Sequence, residues 1–170
     1  LLNIQNVRLK VNSKVGEGSV FYFEQIFEYK NEHSPEMLPE VFSSGDSLEG
    51  VRILLVEDND VNVLVARRFL TKWGVELSYA KNGEEGFIKA TEESYDLILM
   101  DLQMPVMDGY EAARGIRSLG VKTPIIALTA SALIDKNDKI YASGIDDAVT
   151  KPFDPKELFE KISKYAGKES

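Results

Sequence analysis

Short apolar runs alternate with segments of helical spacing from residue 51 to residue 165. Residues 51–56 and 125–128 are almost continuously apolar, which is typical of strands buried on both faces of a parallel sheet. Other segments carry apolar residues three and four positions apart, and three of them end at Gly74, Gly120 or Gly144, which indicates helices. The pattern predicts strands over 51–56, 75–80, 96–100, 125–128 and 148–150, and helices over 61–73, 82–92, 108–119, 134–143 and 154–165.

The strict alternation of strands and helices predicts an α/β fold. Parallel strands that follow one another along the chain need helical crossovers, which are almost always right-handed. We therefore expect a (βα)5 doubly wound, parallel five-stranded sheet of the flavodoxin-like class, with helices on both faces. In such a sheet, functional residues lie beyond the carboxyl ends of the strands.

The first 50 residues follow a different pattern. Residues 7–13 alternate between apolar and polar, residues 16–18 contain two glycines, and residues 19–29 carry aromatic side chains on one face. This pattern predicts an N-terminal β-hairpin. Residues 31–49 are mostly polar and contain proline, glycine and serine, which predicts a linker. The predicted domains are 1–30, 31–49 and 50–170.

The composition excludes several classes of function. The chain has 170 residues and a formal net charge of -8, so we expect no binding to nucleic acid and no direct contact with an anionic membrane. It has no cysteine, which rules out disulfides and thiolate metal sites. No apolar run reaches the ~18 residues of a membrane span. Since the chain begins at Leu1 without a signal peptide, we expect a cytoplasmic piece of a longer protein, whose upstream segments would carry any membrane anchor.

Candidate site residues follow four of the five predicted strands. Glu57 and Asp58 follow the first strand, Asp101 the third, Thr129 the fourth and Lys151 the fifth. Each residue alone has an ordinary explanation as a cap, a turn residue or a surface charge. Together they place three carboxylates at one edge of the sheet, where they repel one another unless a cation lies between them. Carboxylate oxygens suit Mg²⁺, and a single lysine opposite the metal suits a phosphoryl group.

At these strand ends the sequence resembles the receiver domain of two-component response regulators, over about residues 50–166. The resemblance is carried by four motifs in the family's order: Val56-Glu57-Asp58-Asn59, Met100-Asp101-Leu102-Gln103-Met104-Pro105-Val106-Met107-Asp108-Gly109, Leu128-Thr129-Ala130 and Lys151-Pro152-Phe153. It implies that Asp101 accepts a phosphoryl group from a phosphohistidine. It also implies that Lys151 and Thr129 contact the phosphoryl oxygens, and that Mg²⁺ is held by Glu57, Asp58, Asp101 and the backbone carbonyl of Gln103.

One position departs from the family's pattern. Many receivers carry an aromatic residue three positions before the lysine, and this residue moves inward with the threonine after phosphorylation. Ala148 stands at that position here. We therefore expect any signal from Asp101 to travel by another route, as suits a phosphorelay domain that passes the phosphoryl group on. The resemblance also implies a cis peptide bond between Lys151 and Pro152.

The predicted hairpin resembles the closing hairpin of the histidine-kinase ATP-binding domain. The matching segment is Asn12-Ser13-Lys14-Val15-Gly16-Glu17-Gly18-Ser19-Val20-Phe21-Tyr22-Phe23. A kinase hairpin followed by a receiver is the order of a hybrid sensor histidine kinase. This implies, as partners, a phosphohistidine-bearing kinase domain of the parent chain or a histidine phosphotransfer domain, and a second copy of the chain is a further candidate. The nucleotide-binding segments are missing, so we expect no ATP binding, and the one histidine, His33, lies in the predicted linker, so we expect no autophosphorylation on histidine.

Three alternatives compete with this interpretation. A haloacid-dehalogenase-like phosphohydrolase also uses a strand-end aspartate with Mg²⁺, but it needs a second aspartate two residues later, where this chain has Gln103. A pseudo-receiver that only docks partners usually lacks an acidic residue, the nucleophile or the lysine, and all are present here. A DNA-binding response regulator is disfavoured because the sequence ends directly after the fifth predicted helix.

Overall fold

The computed structural model describes residues 10–14, 16, 18–22, 47–130 and 138–167. The chain divides into two units after residue 39. In the first unit, strands β1 (Lys10–Lys14) and β2 (Gly18–Tyr22) pair antiparallel, with Lys14 opposite Gly18. Gly16 and Gly18 adopt positive φ angles of 83° and 98°, which side-chain-bearing residues rarely tolerate. The predicted hairpin is confirmed for these residues, whereas its continuation over residues 23–29 lies outside the described part.

The second unit contains the predicted parallel sheet. Its strands follow the order β4-β3-β5-β6-β7, and all neighbouring pairs are parallel. This arrangement confirms the doubly wound α/β fold. The elements are β3 (Arg52–Val56), α1 (Asp60–Lys72), β4 (Glu76–Ala80), α2 (Gly83–Glu92), β5 (Leu97–Asp101), α3 (Gly109–Ser118), β6 (Ile125–Thr129), α4 (Asp138–Ala142), β7 (Asp147–Thr150) and α5 (Pro155–Tyr165).

Buried side chains cover the sheet on both faces. On one face, Ile116 of α3 and Ile140 of α4 belong to a cluster with Leu54 and Met100 of the sheet. On the other face, the cluster contains residues of α1 and α5: Ala66, Leu70, Leu158 and Ile162. Strands such as β5, in which every residue is buried, explain the continuous apolar runs of the sequence. Within the described ranges, we find no helix with the length and apolarity that crossing a membrane requires.

Helix α1 buries only some of its apolar residues against the sheet. Its C-terminal half buries Ala66 and Leu70 against the sheet. Its N-terminal half leaves Val61 and Leu64 with 67% and 68% of their surface exposed, and Val65 is exposed as well. The apolar spacing in the sequence correctly predicted the helix, but it did not distinguish the residues that face the core from those that face solvent.

Arg117 ties several segments together at the amino-terminal edge of the sheet. Its Nη2 donates to Asp146 Oδ2 at 2.8 Å, and the same oxygen accepts from the backbone N–H of Ile125 at 2.7 Å. Its remaining hydrogen bonds go to the backbone carbonyl oxygens of Gly144, Val121 and Thr123. We call these contacts the Arg117 network, which lies at the edge opposite the carboxyl ends of the strands.

Candidate functional site

The structure brings the predicted site residues to one edge of the sheet. Glu57 and Asp58 follow β3, and Lys151 follows β7, while Asp101 and Thr129 are the last residues of β5 and β6. Because β3, β5, β6 and β7 are neighbours and run parallel, their carboxyl ends meet. We call this group of five residues the acidic edge.

Lys151 joins two of the carboxylates. Its Nζ lies 2.6 Å from Asp101 Oδ2 and 2.7 Å from Glu57 Oε2. Glu57 is 1% exposed and Asp101 is 6% exposed, so both ion pairs are shielded from water. Removing one partner of a buried pair leaves an uncompensated charge, which is strongly destabilising. The peptide bond between Lys151 and Pro152 is cis, as the resemblance implied.

The acidic residues have the spacing of a cation site. One carboxylate oxygen each of Glu57, Asp58 and Asp101 lies within 4.8 Å of the other two. Three carboxylates and the single ammonium of Lys151 leave two negative charges, which one divalent cation would neutralise. Oxygen donors, with Asp58 open to solvent, suit Mg²⁺, which retains several of its waters in proteins. The donor set therefore fits the predicted ion.

The loop after Asp101 holds its second oxygen. Asp101 Oδ1 accepts a hydrogen bond from the backbone N–H of Gln103 at 3.0 Å. Gly109 lies so close that a Cβ there would stand 2.1 Å from the backbone oxygen of Asp101, which only glycine avoids. The loop thereby restricts the position of the Asp101 carboxylate. The metal-binding role of the Gln103 carbonyl stays a prediction.

Two residues near Glu57 were not predicted from the sequence. Asn62 donates through Nδ2 to Glu57 Oε1 at 2.9 Å, and the Tyr79 hydroxyl donates to the Glu57 backbone oxygen at 2.9 Å. Partial burial, followed by the negative charges of Asp60 and Glu57, raises the pKa of Tyr79, which keeps the hydroxyl protonated as a donor. Neither contact has a signal in the sequence, because the Asn62 contact depends on how α1 packs and the Tyr79 contact depends on strand register.

Thr129 is the last residue of β6, and Ala148 lies in the neighbouring strand β7. Thr129 is half-buried at the end of β6, and its backbone oxygen accepts from the N–H of Lys151 at 2.7 Å. Ala148 is buried in the cluster that also contacts Tyr110 of α3. The segment 131–137, which follows Thr129, lies outside the described part. The route by which phosphorylation would be read therefore stays a prediction.

Val106 lies in the loop after Asp101 with a strained backbone. Its φ is 72°, and the side chain is 78% exposed. A left-handed conformation costs a side-chain-bearing residue about 1–2 kcal/mol, and asparagine tolerates it better than a β-branched residue does. We expect Val106→Asn to raise the free energy of unfolding by about 1 kcal/mol, as measured by urea denaturation. Val61→Asn, at a helical position of similar exposure, serves as the control, and an equal gain there would contradict the role of strain.

The match to a known family lies within the second unit. The model of the response regulator receiver domain matches residues 53–163. The chain therefore belongs to the response regulator receiver family, whose members act in two-component signalling.

Two curated relatives are kinases. The chain is 44% identical over 124 residues to hybrid signal transduction histidine kinase G of Dictyostelium discoideum, in a match that covers 70% of this chain and 4% of that protein. It is 31% identical over 169 residues to the autoinducer 2 sensor kinase/phosphatase LuxQ of Vibrio vulnificus, covering 95% of this chain and 19% of that protein. The chain thus spans less than a fifth of either relative.

Two solved structures resemble the second unit. The receiver domain of the sensor histidine kinase PA1611 from Pseudomonas aeruginosa, with a magnesium ion in its active-site cleft, is 40% identical with a TM-score of 0.65, covering 69% of this chain and 98% of that one. The receiver domain of Saccharomyces cerevisiae Ssk1, in complex with the histidine phosphotransfer protein Ypd1, is 35% identical with a TM-score of 0.65, covering 69% of this chain and 89% of that one.

Proposed function

We propose that Asp101 is the phosphoacceptor of this receiver and that it works with Mg²⁺ held at the acidic edge. The observation that carries the proposal is the double contact of Lys151 Nζ with Asp101 and Glu57. It places a positive charge beside the attacking carboxylate, where the oxygens of a phosphoryl group would arrive. Charge placed in advance is the main means by which proteins promote phosphoryl transfer.

The proposed reaction moves one phosphoryl group. An oxygen of Asp101 forms the new P–O bond, while the P–N bond of the phosphohistidine breaks and the imidazole keeps the bonding electron pair. Lys151 neutralises charge on the phosphoryl oxygens, and Thr129 donates a hydrogen bond to one of them. The product is an acyl phosphate, whose phosphoryl group carries about -1.5 to -2 charges at neutral pH in place of the single negative charge of the carboxylate.

Glu57, Asp58 and Asp101 would hold the metal, together with the backbone carbonyl of Gln103. Bound Mg²⁺ would reduce the repulsion between the carboxylate and the phosphoryl group. The proposal is supported by the three oxygens within 4.8 Å of one another and by the magnesium ion in the cleft of the PA1611 receiver.

The direct test is labelling by a small phosphodonor. We expect phosphoramidate with MgCl₂ to add one phosphoryl group to the chain, seen by intact-protein mass spectrometry, and EDTA to prevent the addition. Labelling that is unchanged by EDTA would contradict the proposed role of Mg²⁺. Sustained turnover of phosphoesters without a stable labelled state would instead favour the haloacid-dehalogenase-like phosphohydrolase.

We further propose that the chain is part of a hybrid histidine kinase. The proposal is supported by the antiparallel strands β1 and β2 ahead of the receiver, and by the LuxQ alignment, which extends over nearly the whole chain. The hairpin would close the ATP-binding domain of the parent chain, with residues 31–49 as the linker. The phosphodonor would then be the kinase domain of that chain or a histidine phosphotransfer domain.

The exposed apolar residues of α1 are the proposed contact surface for a histidine phosphotransfer domain. Val61, Leu64 and Val65 lie on the helix that begins two residues after Asp58, so a partner seated on them would lie beside the acidic edge. Contiguous exposed apolar surface often marks a protein interface. The complex of the Ssk1 receiver with Ypd1 supports a partner of this class.

A charge introduced on this surface should impair binding of the phosphotransfer protein without impairing phosphorylation of Asp101 by a small phosphodonor. We expect Leu64→Lys to slow phosphoryl transfer from phosphorylated Ypd1 about tenfold or more, because an interface contact is lost and a charge is desolvated. Labelling by phosphoramidate should not change. Leu119→Lys is the matched control, since Leu119 is 62% exposed beyond the C-terminal end of α3, at the far edge of the sheet. Equal transfer rates for the two variants would contradict the surface.

A further inference from the structure

The carboxylate of Glu57 accepts hydrogen bonds from three residues. Its Oε2 accepts from Lys151, and its Oε1 accepts from Asn62 Nδ2 at 2.9 Å and from the backbone N–H of Asn59 at 3.2 Å. The carboxylate is 1% exposed, so water does not replace a lost donor. Among the residues that the structure describes, loss of the Asn62 donor would leave Oε1 with the longer bond from Asn59 alone.

The helix fixes Asn62 in this place. Asn59 caps α1, and its Oδ1 accepts from the N–H groups of Val61 and Asn62. The first turn of the helix is therefore anchored to the residue that follows Asp58, and Asn62 points back toward the end of β3. An amide suits the task because it donates to the carboxylate without adding a charge that would compete with a cation.

A glutamate needs a hydrogen-bond donor to hold its carboxylate in place more than an aspartate does. Its side chain has one more rotatable bond, so more conformations must be excluded to hold the carboxylate in one position. Residues that orient a metal ligand through a hydrogen bond affect metal affinity although they do not touch the metal.

We propose that Asn62 is a positioning residue, which binds Glu57 Oε1 and thereby directs Oε2 toward Lys151 and Asp101. The inference rests on the proposed metal site and deepens it. With Asn62 in place, the acidic edge is arranged before Mg²⁺ arrives. Without it, part of the binding free energy is spent on ordering Glu57.

The test is a double-mutant cycle that measures Mg²⁺ affinity by following backbone amide shifts in ¹H–¹⁵N spectra during titration with MgCl₂. Asn62→Leu keeps the size of the side chain and removes the donor, and we expect it to weaken Mg²⁺ binding about tenfold. In the Glu57→Asp background, the shorter carboxylate no longer reaches Asn62, so the same change should have little further effect. Arg67→Leu, at an exposed position on the same helix, is the control and should bind as the wild type does.

The outcomes distinguish this inference from the proposed function. Wild-type affinity in Asn62→Leu would overturn the positioning role while leaving the metal site intact. An equal loss in both backgrounds would also overturn it, because the effect would then not act through Glu57. Absence of Mg²⁺ binding by the wild type would overturn the metal site itself. Dispersion of the amide spectrum shows whether each variant is folded.

Discussion

Asp101→Asn should abolish labelling by phosphoramidate, with a loss of more than about a hundredfold in initial rate. The amide has no charged oxygen to attack phosphorus, and no other carboxylate at the acidic edge has the same contacts. Glu57 is held by Asn62 as well as by Lys151, whereas the oxygens of Asp101 are bonded to Lys151 and to the N–H of Gln103. Positioning of this kind accounts for much of the rate that enzymes gain in phosphoryl transfer.

The matched control is Asp96→Asn. Asp96 precedes the same strand at its amino-terminal end, where its Oδ2 accepts from the N–H of Arg52 at 2.8 Å. An asparagine can keep that bond, so we expect wild-type labelling. Mass spectrometry of the intact protein, before and after phosphoramidate with MgCl₂, measures both variants. Labelling of Asp101→Asn at the wild-type rate would refute the assignment of the phosphoacceptor.

Gly109→Ala should be the most destabilising of the substitutions considered, by about 3 kcal/mol or more. The new methyl group would stand 2.1 Å from the backbone oxygen of Asp101, and a backbone atom cannot move aside as the end of a side chain can. Because Gly109 N–H also donates to the carbonyl of Leu102, relief of the clash would break the loop that holds Asp101. Large losses of stability arise from such backbone conflicts.

Gly115→Ala is the control on the same helix. Its Cβ would meet the ring of Phe87 at 3.1 Å, and that ring is a partly buried side chain that can shift. Alanine also favours the helix by about 1 kcal/mol over glycine, so we expect a neutral or slightly stabilising change. Urea denaturation measures both variants. Similar stability of the two would contradict the close packing against Asp101.

The sequence predicted the order of elements because each signal was local. Buried strands give continuous apolar runs, and helices give apolar residues at spacings of three and four. The alternation of the two then restricts the topology, and the topology brings strand ends such as Glu57, Asp101 and Lys151 together. A site built on strand ends of a parallel sheet is therefore predictable, even when its members lie 94 residues apart, as Glu57 and Lys151 do.

The features that were missed depend on how elements pack. The rotation of α1 about its axis decides that Leu64 is exposed while Leu70 is buried, and both are equally apolar in the sequence. Tyr79 reaches Glu57 only because β4 pairs beside β3 in a particular register. Asn62 resembles any polar residue of a helix surface until Glu57 is seen beside it. Contacts across elements carry no periodic signal that a single sequence could reveal.

The Arg117 network implies that the two edges of the sheet differ in local stability. The N–H of Ile125 bonds to Asp146, and the N–H of Asp146 bonds to Ile125, so neither amide can meet water unless several segments separate together. We expect these amides to exchange with deuterium only through global unfolding. The loop after Asp101 is held by backbone hydrogen bonds without an arginine that joins several segments, such as those from the N–H of Leu102 to Leu128 and from the N–H of Gly109 to Leu102, and its amides should exchange through smaller openings. The domain could then gain and lose a phosphoryl group at one edge while the other preserves the fold.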